Sequence, residues 1–457
     1  MISTSVQFRR EAISLALHRC RSGTLKLFER IDWDTFCRQA HPEFSPAGWH
    51  LGHIAYTEEL WLLQRCAGIS PLFPKYRQMF AADVLPKKER VYLPTFAEVC
   101  CYLDTVRKQV LNYLNKAPIE EQERLWQFVI QHESQHCETI SFVLQMQREE
   151  KEIQQLLSSE LNAPFSNYLF RQKRMVDPGD FVLQSTELKS TLGEREDGIN
   201  KLPIANNLSP SHSPMIEIPA GKFEMGNDGI DALDNERSSH LHYLETYCID
   251  PYPVTCNQYR NFIEVGGYQN PQYWSKAGWK WLQNNPVNQP LYWSNNPTFD
   301  NHPVCGVSWY EAEAYCQFMG KRLPTEAEWE KAASWSSQTN IKNIYPWGEK
   351  EPQPHRCNHD NTVGKTTPVY TYPDGKSAYG CWDMLGNVWE WTSSWFHAYE
   401  GFESYPYPGY SQTYFDGEHL VLKGGSWATR PWALRSSFRN WYHPGVRQII
   451  AGFRCAK

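Results

Sequence analysis

Residues 303–333 read PVCGVSWYEAEAYCQFMGKRLPTEAEWEKAA. Within this stretch, apolar side chains recur at helical spacing over residues 310–319, which predicts a short helix. The TEAE sequence beginning at Thr325 has the pattern of a helix N-cap followed three residues later by a glutamate, which predicts the start of a second helix. The stretch therefore places two short helices in the second half of the chain.

The sequence on both sides of these helices consists mostly of short β-like segments and turns. Segments such as MIEIPAG (215–221) and HLVLKGGSW (419–427) alternate with turns rich in Gly, Pro, Asn and Asp. Most of the 19 tryptophans lie beyond residue 270, where their packing can stiffen long loops. Residues 214–457 are therefore predicted to form an irregular, loop-rich α+β domain.

Residues 1–165 have a different pattern, which is typical of helices. Apolar residues follow a 3.6-residue period over long segments that are separated by prolines. These segments are residues 10–28, 49–66, 96–114 and 122–157. They predict a four-helix bundle, a fold that builds metal sites from side chains on facing helices. Residues 166–213 are rich in charged, Ser, Asn and Pro residues and are predicted to connect the two domains.

The composition excludes several classes of protein. The chain has 457 residues, 41% hydrophobic and 21% charged, which is typical of globular and not of disordered proteins. The net charge of −6 argues against a nucleic-acid partner held by bulk charge, and no apolar run approaches the ~18 residues of a membrane span. The 13 cysteines contain no CxxC pair, which favours free thiols in the cytoplasm. The N-terminal segment is predicted to be an amphipathic helix and not a signal peptide.

Two short histidine motifs predict a metal site. In QHESQHCE (131–138), His132 and His136 are four residues apart and share one face of a helix. In WHLGH (49–53), His50 and His53 are three residues apart. Together the two helices can offer three imidazoles to one Zn, Fe or Ni ion, and the spacing does not choose among these metals. We interpret Cys137 as a core thiol.

Glu138 and the remaining histidines have less specific surroundings in the sequence. Glu138 fits two interpretations equally: an acceptor for the N–H of a metal-bound imidazole, or a surface carboxylate. Other histidines, His419 among them, lack a partner at ligand spacing and are interpreted as structural or surface residues.

The motifs of both halves resemble known families. The C-terminal half resembles the formylglycine-generating-enzyme (sulfatase-modifying-factor) fold, a C-type-lectin-like α+β fold. Its matching stretches, besides residues 303–333, are IPAGKFEMG, YPWG, MLGNVWEWTSS, LKGGSW and AGFRCA. Through WHLGH and HESQHCE, the N-terminal half resembles the DinB-like four-helix bundle. This domain order is similar to that of the EgtB-type sulfoxide synthases of ergothioneine biosynthesis.

The resemblance implies a mononuclear non-heme Fe(2+) enzyme. Such an enzyme joins the sulfur of cysteine or γ-glutamylcysteine to imidazole C2 of Nα-trimethylhistidine (hercynine, a histidine betaine) and uses O2 to form a sulfoxide. The resemblance also implies that His53, His132 and His136 hold the iron, and it gives His50 no ligand role. Its implied partners are small molecules alone, namely the betaine, the thiol and O2. We expect no nucleic acid, no membrane and no obligatory protein partner.

Further residues acquire roles through the same resemblance. Gln135 matches a residue near the substrate imidazole, and Asn440 with Trp441 matches the element that holds the betaine end. The segment FESYPYPGYSQTYF offers several tyrosines as proton or electron donor: Tyr405, Tyr407, Tyr410 and Tyr414. Alignment of YPGYS favours Tyr407 as the catalytic tyrosine, with Tyr410 as its neighbour.

The chain departs from the best-known branch of this family at the sulfur-donor site. Tyr442 stands where that branch has an aspartate that helps to hold the donor. The carboxylate-binding arginines are not obvious, and the plausible substitutes are Lys87, Lys88 and Arg90. The donor therefore stays open, and so does a selenoneine- or ovothiol-type reaction of the same architecture.

Three alternatives differ more strongly from this hypothesis. A formylglycine-generating oxidase needs a cysteine pair after GGS, and GGSWATRPWALRSSFRNW contains none. A DinB-type thiol transferase with zinc or nickel would leave the C-terminal domain as a passenger. A non-catalytic, lectin-like binding module would leave three ligand-type histidines unexplained.

Overall fold

The computed structural model describes residues 2–161 and 214–457, with side chains from residue 5 to 151 and from 214 onward. The predicted connector, 166–213, lies outside the described residues. The N-terminal helices are α1 (Ile2–Lys26), α2 (Trp33–Cys37), α3 (Ala47–Glu58), α4 (Tyr76–Phe80), α5 (Phe96–Leu114) and α6 (Ile119–Leu161). No described helix is long and apolar enough to cross a membrane.

Helix α5 has the bounds that the sequence predicts, because its start is fixed locally. The Thr95 hydroxyl accepts a hydrogen bond from the Glu98 N–H at 3.3 Å, and the Glu98 carboxylate accepts one from the Thr95 N–H at 2.9 Å. The predicted helix over 49–66 differs from the structure. Helix α3 ends at Glu58, and the chain continues as a wider π-helix, Glu59–Cys66.

Four buried charged side chains join the helices of the bundle, and we call them the buried ion cluster. Arg21 of α1 contacts Glu58 and Glu133, each at 2.8 Å. Arg107 of α5 contacts the same two carboxylates at 2.6 and 3.0 Å. Burial acts to raise the pKa of Glu133, but the two guanidinium groups hold it below its ordinary value. Because Glu58 lies on α3 and Glu133 on α6, the cluster fixes these helices relative to each other.

We expect Arg107→Leu to destabilise the protein by about 3–5 kcal/mol, because it leaves two buried carboxylates with one guanidinium. Urea unfolding followed by circular dichroism measures the change. Arg9→Leu is the matched control, since Arg9 pairs with Glu123 while its side chain is 41% exposed, and about 1 kcal/mol or less is expected there. Equal stability of the two variants would show that the cluster does not support the bundle.

The C-terminal half contains short helices and small sheets. Its helices are α7 (Cys256–Glu264), α8 (Lys276–Asn284), α9 (Trp309–Phe318) and α10 (Glu326–Ser334). Its strands are β1 (Ile216–Ile218), β2 (Gly221–Met225), β3 (His240–Leu244), β4 (Tyr247–Ile249), β5 (Trp335–Ser336), β6 (Ile341–Lys342), β7 (Trp389–Trp395), β8 (Leu420–Lys423), β9 (Asn440–Tyr442) and β10 (Ala451–Gly452). The two predicted helices correspond to α9 and α10, and Thr325 caps α10 with Glu328 as expected.

The four-stranded sheet has the order β10-β7-β8-β9, in which only the β10–β7 pair is parallel. The other strand pairs, β1–β4, β2–β3 and β5–β6, are antiparallel. Strand β9 lies at the edge of the larger sheet and pairs with β8, so that Trp441 stands opposite Val421. This pairing fixes the backbone of Asn440, Trp441 and Tyr442.

The helical bundle and the C-terminal half form one compact unit, Met1–Met146 with Pro210–Lys457, around a shared hydrophobic core. The second unit, Gln147–Ser209, is described only to Leu161, where α6 ends. Within the first unit, Glu138 of α6 links the two halves. Its Oε1 accepts hydrogen bonds from Trp389 Nε1 at 2.8 Å and from the hydroxyls of Ser426 and Thr429, each at 2.5 Å. Glu138 is therefore buried and not a surface carboxylate, and that interpretation was wrong. The other interpretation, an acceptor for an imidazole N–H, stays a prediction, since these three contacts involve Oε1 alone.

Candidate metal centre and active site

Three histidines from two helices converge in the bundle, and we call them the histidine cluster. His53 comes from α3, and His132 and His136 come from α6. One nitrogen of each ring lies within 4.8 Å of the other two, close enough for one ion to contact all three. No carboxylate or thiol of the described residues belongs to this cluster. A bound cation would therefore keep its full charge.

Backbone packing around α3 fixes the orientation of the His53 ring. Its Nδ1–H donates to the Phe80 carbonyl at 2.6 Å, which leaves Nε2 as the nitrogen available to a metal. The Trp49 ring stacks on His53 with centroids 4.7 Å apart. Gly52 lets the Phe80 ring come this close, because a Cβ at that position would lie 2.2 Å from Phe80 Cε1.

The histidine cluster is uncharged near neutral pH. Burial lowers the pKa of His53 to about 4. Burial also lowers the pKa values of His132 and His136 well below the ordinary value, and the neighbouring histidines act in the same direction. A neutral imidazole keeps a free lone pair, which is the form that binds metals.

Of the two histidines in WHLGH, the structure places His53 in the cluster and His50 beside it. His50 is buried, and its Nδ1 lies 2.8 Å from Nδ1 of His136. Burial lowers the pKa of His50 to about 3, and the neighbouring His53 and Arg90 act in the same direction.

The histidine cluster opens into a cavity of about 440 Å³. The residues from the sequence analysis that line the cavity, besides the cluster itself, are His50, Lys87, Arg90, Gln135, Glu138, Tyr407, Tyr410, Tyr414, His419, Asn440, Trp441 and Tyr442. The cavity thus has walls from α3, from α6 and from the C-terminal half. The structure brings together the candidate residues for the metal and the betaine, and three of the four candidate tyrosines, with Tyr405 as the exception.

Gln135 and Tyr410 form a hydrogen-bonded pair on one side of the cavity. The Gln135 Nε2 lies 2.8 Å from the Tyr410 hydroxyl. Gln135 is on α6 between His132 and His136, so this polar pair stands next to the histidine cluster. Tyr410 is buried, and burial raises its pKa well above the ordinary value.

The other candidate tyrosines have distinct environments. Tyr407 lines the cavity and stacks on Trp61 with ring centroids 5.5 Å apart, and burial raises its pKa to about 12. Tyr405 lies under the Arg124 guanidinium at 3.9 Å and is not among the lining residues. The structure therefore leaves Tyr407 and Tyr410, together with Tyr414, at the cavity.

Aromatic rings form a second wall around Trp441. Trp441 stacks on Phe396 at 4.4 Å and contacts the rings of Tyr414 and Tyr410 at 5.4 and 6.0 Å. Asn440 lies beside it, with its Oδ1 accepting the Trp441 N–H at 2.9 Å. Such a wall suits a cation without N–H groups, because a quaternary ammonium binds aromatic faces.

Arg90 supplies a buried positive charge that has no anionic partner among the described residues. It is 8% exposed and lies 4.0 Å above the Trp49 ring. Its N–H groups donate to three neutral acceptors, the carbonyls of Leu85 and Ala82 and the Ser45 hydroxyl, at 2.7–3.0 Å. A guanidinium has five N–H groups, and these three acceptors engage only three of them.

The two lysines near Arg90 differ from it. Lys87 also lines the cavity, but its Nζ donates to the Glu43 carbonyl at 2.6 Å, with the Glu43 carboxylate 3.9 Å away. Lys88 is exposed and lies outside the lining. Of the three substitutes that the sequence suggested, Arg90 is thus the buried cation without an anionic partner among the described residues.

Two histidines of the cavity were not predicted from the sequence. His419 and His443 both line it, with their rings 4.0 Å apart, and Asp416 holds His419 at 2.9 Å. The interpretation of His419 as a structural or surface residue was therefore incomplete. The position of His443 directly after Tyr442 was a usable signal, whereas nothing near His419 in the sequence pointed to the site.

The fold and the site define a two-domain protein, in which a DinB-like bundle carries the histidine cluster and a formylglycine-generating-enzyme-like domain completes the cavity. Residues 16–140 match the DinB superfamily, and residues 203–457 match the Sulfatase-modifying factor enzyme 1-like domain. The fold class predicted from the sequence is confirmed. The inactive Cα-formylglycine-generating enzyme 2 of Bos taurus is 30% identical over 286 residues, 53% of this chain and 87% of that protein.

Relatives that match over nearly the whole length identify the family. The hercynine oxygenase of Mycolicibacterium smegmatis is 34% identical over 468 residues, covering 98% of this chain and 99% of that protein. The hercynine oxygenase of Mycobacterium tuberculosis is 35% identical over 464 residues, covering 98% of each. The chain belongs to the hercynine oxygenase family, the EgtB-type sulfoxide synthases, and it is an oxygenase. The resemblance stated from the motifs is thereby confirmed.

Proposed function

We propose that this enzyme joins the sulfur of a small thiol to imidazole C2 of hercynine in an Fe(II)- and O2-dependent reaction. The thiol loses its S–H hydrogen and the imidazole its C2–H hydrogen, and O2 supplies one oxygen to the sulfoxide and one to water. The observation that carries the proposal is the neutral histidine cluster, which opens into a cavity with an aromatic wall and a buried cation.

The histidine cluster fits a divalent iron. Its three rings are buried or half-buried, and they are neutral. The Phe80 carbonyl orients the His53 ring. Iron bound there would act as a Lewis acid that lowers the thiol pKa. It would also act as a redox centre for O2, a role that zinc cannot fill. Three imidazoles, with no carboxylate of the described residues in the cluster, leave positions for small ligands.

The residues on either side of the histidine cluster fit the two ends of hercynine. Gln135 and Tyr410 offer an amide and a hydroxyl, which can hydrogen-bond an imidazole. Trp441 with Tyr414 offers aromatic faces to the trimethylammonium group. Holding the imidazole next to the metal fixes C2 close to the sulfur and lowers the entropic part of the barrier.

Arg90 fits the carboxylate of the thiol donor. A buried guanidinium without an anionic partner gains a charge-assisted hydrogen bond when a carboxylate enters. Lys87 is engaged with Glu43, whose own charge opposes a second carboxylate at the mouth. One free buried cation therefore favours a donor with a single carboxylate, as in cysteine, over γ-glutamylcysteine.

We expect Arg90→Met to raise KM for the thiol by about 30- to 5,000-fold, as loss of one partner of a buried charged pair costs about 2–5 kcal/mol. The KM for hercynine should change little, because Arg90 stands at the donor end. Steady-state kinetics with each substrate varied in turn measure both values. Lys88→Met, on the same loop but outside the cavity, is the control, and an equal change in the two KM values for Arg90→Met would contradict this assignment.

Anaerobic loading with Fe(II), followed by O2, hercynine and a panel of thiols, tests the proposed reaction. Mass spectrometry should show a conjugate that contains one additional oxygen, with cysteine as the best donor. A conjugate without oxygen that forms anaerobically with zinc or nickel would instead indicate a thiol transferase. No conjugate with any thiol, from protein that holds one iron per chain, would contradict the proposal. A selenol included in the panel tests the selenoneine-type alternative.

A further inference from the structure

His50 is a fourth histidine in direct contact with the histidine cluster, and the cluster leaves it without a role. It lies on α3 one turn before His53 and is 6% exposed. Its Nδ1 is 2.8 Å from Nδ1 of His136, and the two rings lie with centroids 5.0 Å apart. Its Nε2 is buried and has no hydrogen-bond partner of good geometry in the part of the chain that the structure describes, although the backbone of Ser45 also interacts with this ring.

The contact between two Nδ1 atoms requires one to donate and the other to accept. A neutral imidazole carries one N–H and one acceptor nitrogen. If His50 donates, then His136 carries its own proton on Nε2, and neither nitrogen of His136 has a lone pair for a metal. If His136 donates from Nδ1, its Nε2 is free to bind. Metal binding therefore selects the arrangement in which His50 accepts.

We propose that His50 is a positioning residue of the metal centre, which accepts a hydrogen bond from Nδ1–H of His136 and so presents His136 Nε2 to the metal. This inference rests on the proposed metal centre. Metal-bound histidines generally donate their second N–H to a carboxylate, a carbonyl or water, and this partner orients the ring. Here a second imidazole takes that place.

The choice of acceptor has an electrostatic consequence. His53 donates to the Phe80 carbonyl and His136 donates to His50, so both acceptors are neutral. A carboxylate at position 50 would lie in the same buried pocket as Arg90 and would add negative charge beside the metal. The neutral imidazole instead orients His136 and leaves the positive charge of the centre available to a thiolate.

Two substitutions separate the role of His50 as a hydrogen-bond acceptor from the packing of its ring. His50→Phe keeps a planar ring but removes the acceptor, whereas the Asn Oδ1 in His50→Asn lies near the position of the histidine Nδ1 and retains one. Metal-free protein is titrated anaerobically with Co(II) against a competing chelator, and the ligand-field absorption is recorded. We expect His50→Phe to bind one Co(II) at saturation with about 10- to 100-fold lower affinity, and His50→Asn to stay within about threefold of the unsubstituted protein. Thermal unfolding of the metal-free variants should stay similar.

Three results would overturn the inference. The first is a His50→Phe variant that binds Co(II) with the affinity and spectrum of the unsubstituted protein. The second is an equal loss of Co(II) affinity in His50→Phe and His50→Asn. The third is a His50→Phe variant that binds no Co(II) at all, which would make His50 a ligand. If the unsubstituted protein binds no metal, the proposed function fails and takes this inference with it. If it binds metal and His50→Phe binds equally well, the inference fails alone.

Discussion

Replacing His132 with alanine is expected to leave a folded protein that holds much less than one iron per chain and makes no sulfoxide. His132 is one of only three imidazoles in the histidine cluster, and no carboxylate or thiol of the described residues can replace it. A metal site shares a binding free energy of about 10–16 kcal/mol among its ligands, so losing one weakens binding by about 10²-fold or more. Metal analysis of desalted protein, with circular dichroism to verify folding, measures the effect.

The control for this variant is His18→Ala, since His18 is an exposed histidine of α1. That protein should retain one iron per chain and full activity. His53→Ala and His136→Ala should behave like His132→Ala, because the three rings form one cluster. Stoichiometric iron in His132→Ala would show that the metal binds elsewhere.

Replacing Tyr407 with phenylalanine is expected to lower sulfoxide formation by about 10²- to 10⁴-fold, the usual contribution of a positioned general acid. The Tyr407 hydroxyl is protonated at neutral pH, because burial raises its pKa to about 12, and it lines the cavity. The substitution keeps the ring that stacks on Trp61 and removes only the hydroxyl group. Iron content and the KM for hercynine should therefore survive, while oxidation of the thiol alone can rise.

The neighbouring tyrosines provide the comparison for Tyr407→Phe. Tyr405→Phe should leave the product ratio unchanged, since that ring lies under Arg124 and outside the cavity lining. Tyr410→Phe breaks the hydrogen bond to Gln135 and should raise the KM for hercynine. If Tyr407→Phe forms sulfoxide at the wild-type rate and Tyr410→Phe forms it slowly, then Tyr410 is the proton donor. Wild-type rates in all three variants would contradict Tyr407 and its two neighbours as donors and would leave Tyr414 as the remaining candidate tyrosine at the cavity.

The sequence predicted those parts of the fold that local chemistry determines. Helix α5 has its predicted bounds because Thr95 and Glu98 cap it, and α10 begins after Thr325 for the same reason. The hydrophobic period cannot reveal that α3 gives way to a π-helix at Glu59. There, two consecutive buried glutamates have different partners: Glu58 binds arginines, and Glu59 accepts hydrogen bonds from the Tyr102 hydroxyl and the Leu72 N–H.

At the site, histidine spacing predicted which helices would carry the cluster, but not which ring of WHLGH would join it. That choice depends on contacts between residues far apart in the chain, such as Phe80 with His53 and His50 with His136. The interpretation of Glu138 as a surface carboxylate was wrong for the same reason, since its donors Trp389, Ser426 and Thr429 come from the other half of the chain. The charge of Arg90 was equally hidden, because only a three-dimensional structure shows that it has no anionic partner among the described residues.

The proton spectrum of the isolated product tests the central claim most directly. The enzyme is loaded with Fe(II) and turned over with hercynine, cysteine and O2, and the product is examined by proton NMR and exact mass. We expect a conjugate that carries one additional oxygen, in which the imidazole C2 proton signal is lost and the C5 proton signal is retained. A product that keeps the C2 proton and loses the C5 proton, or a conjugate without the sulfoxide oxygen, would contradict the central claim.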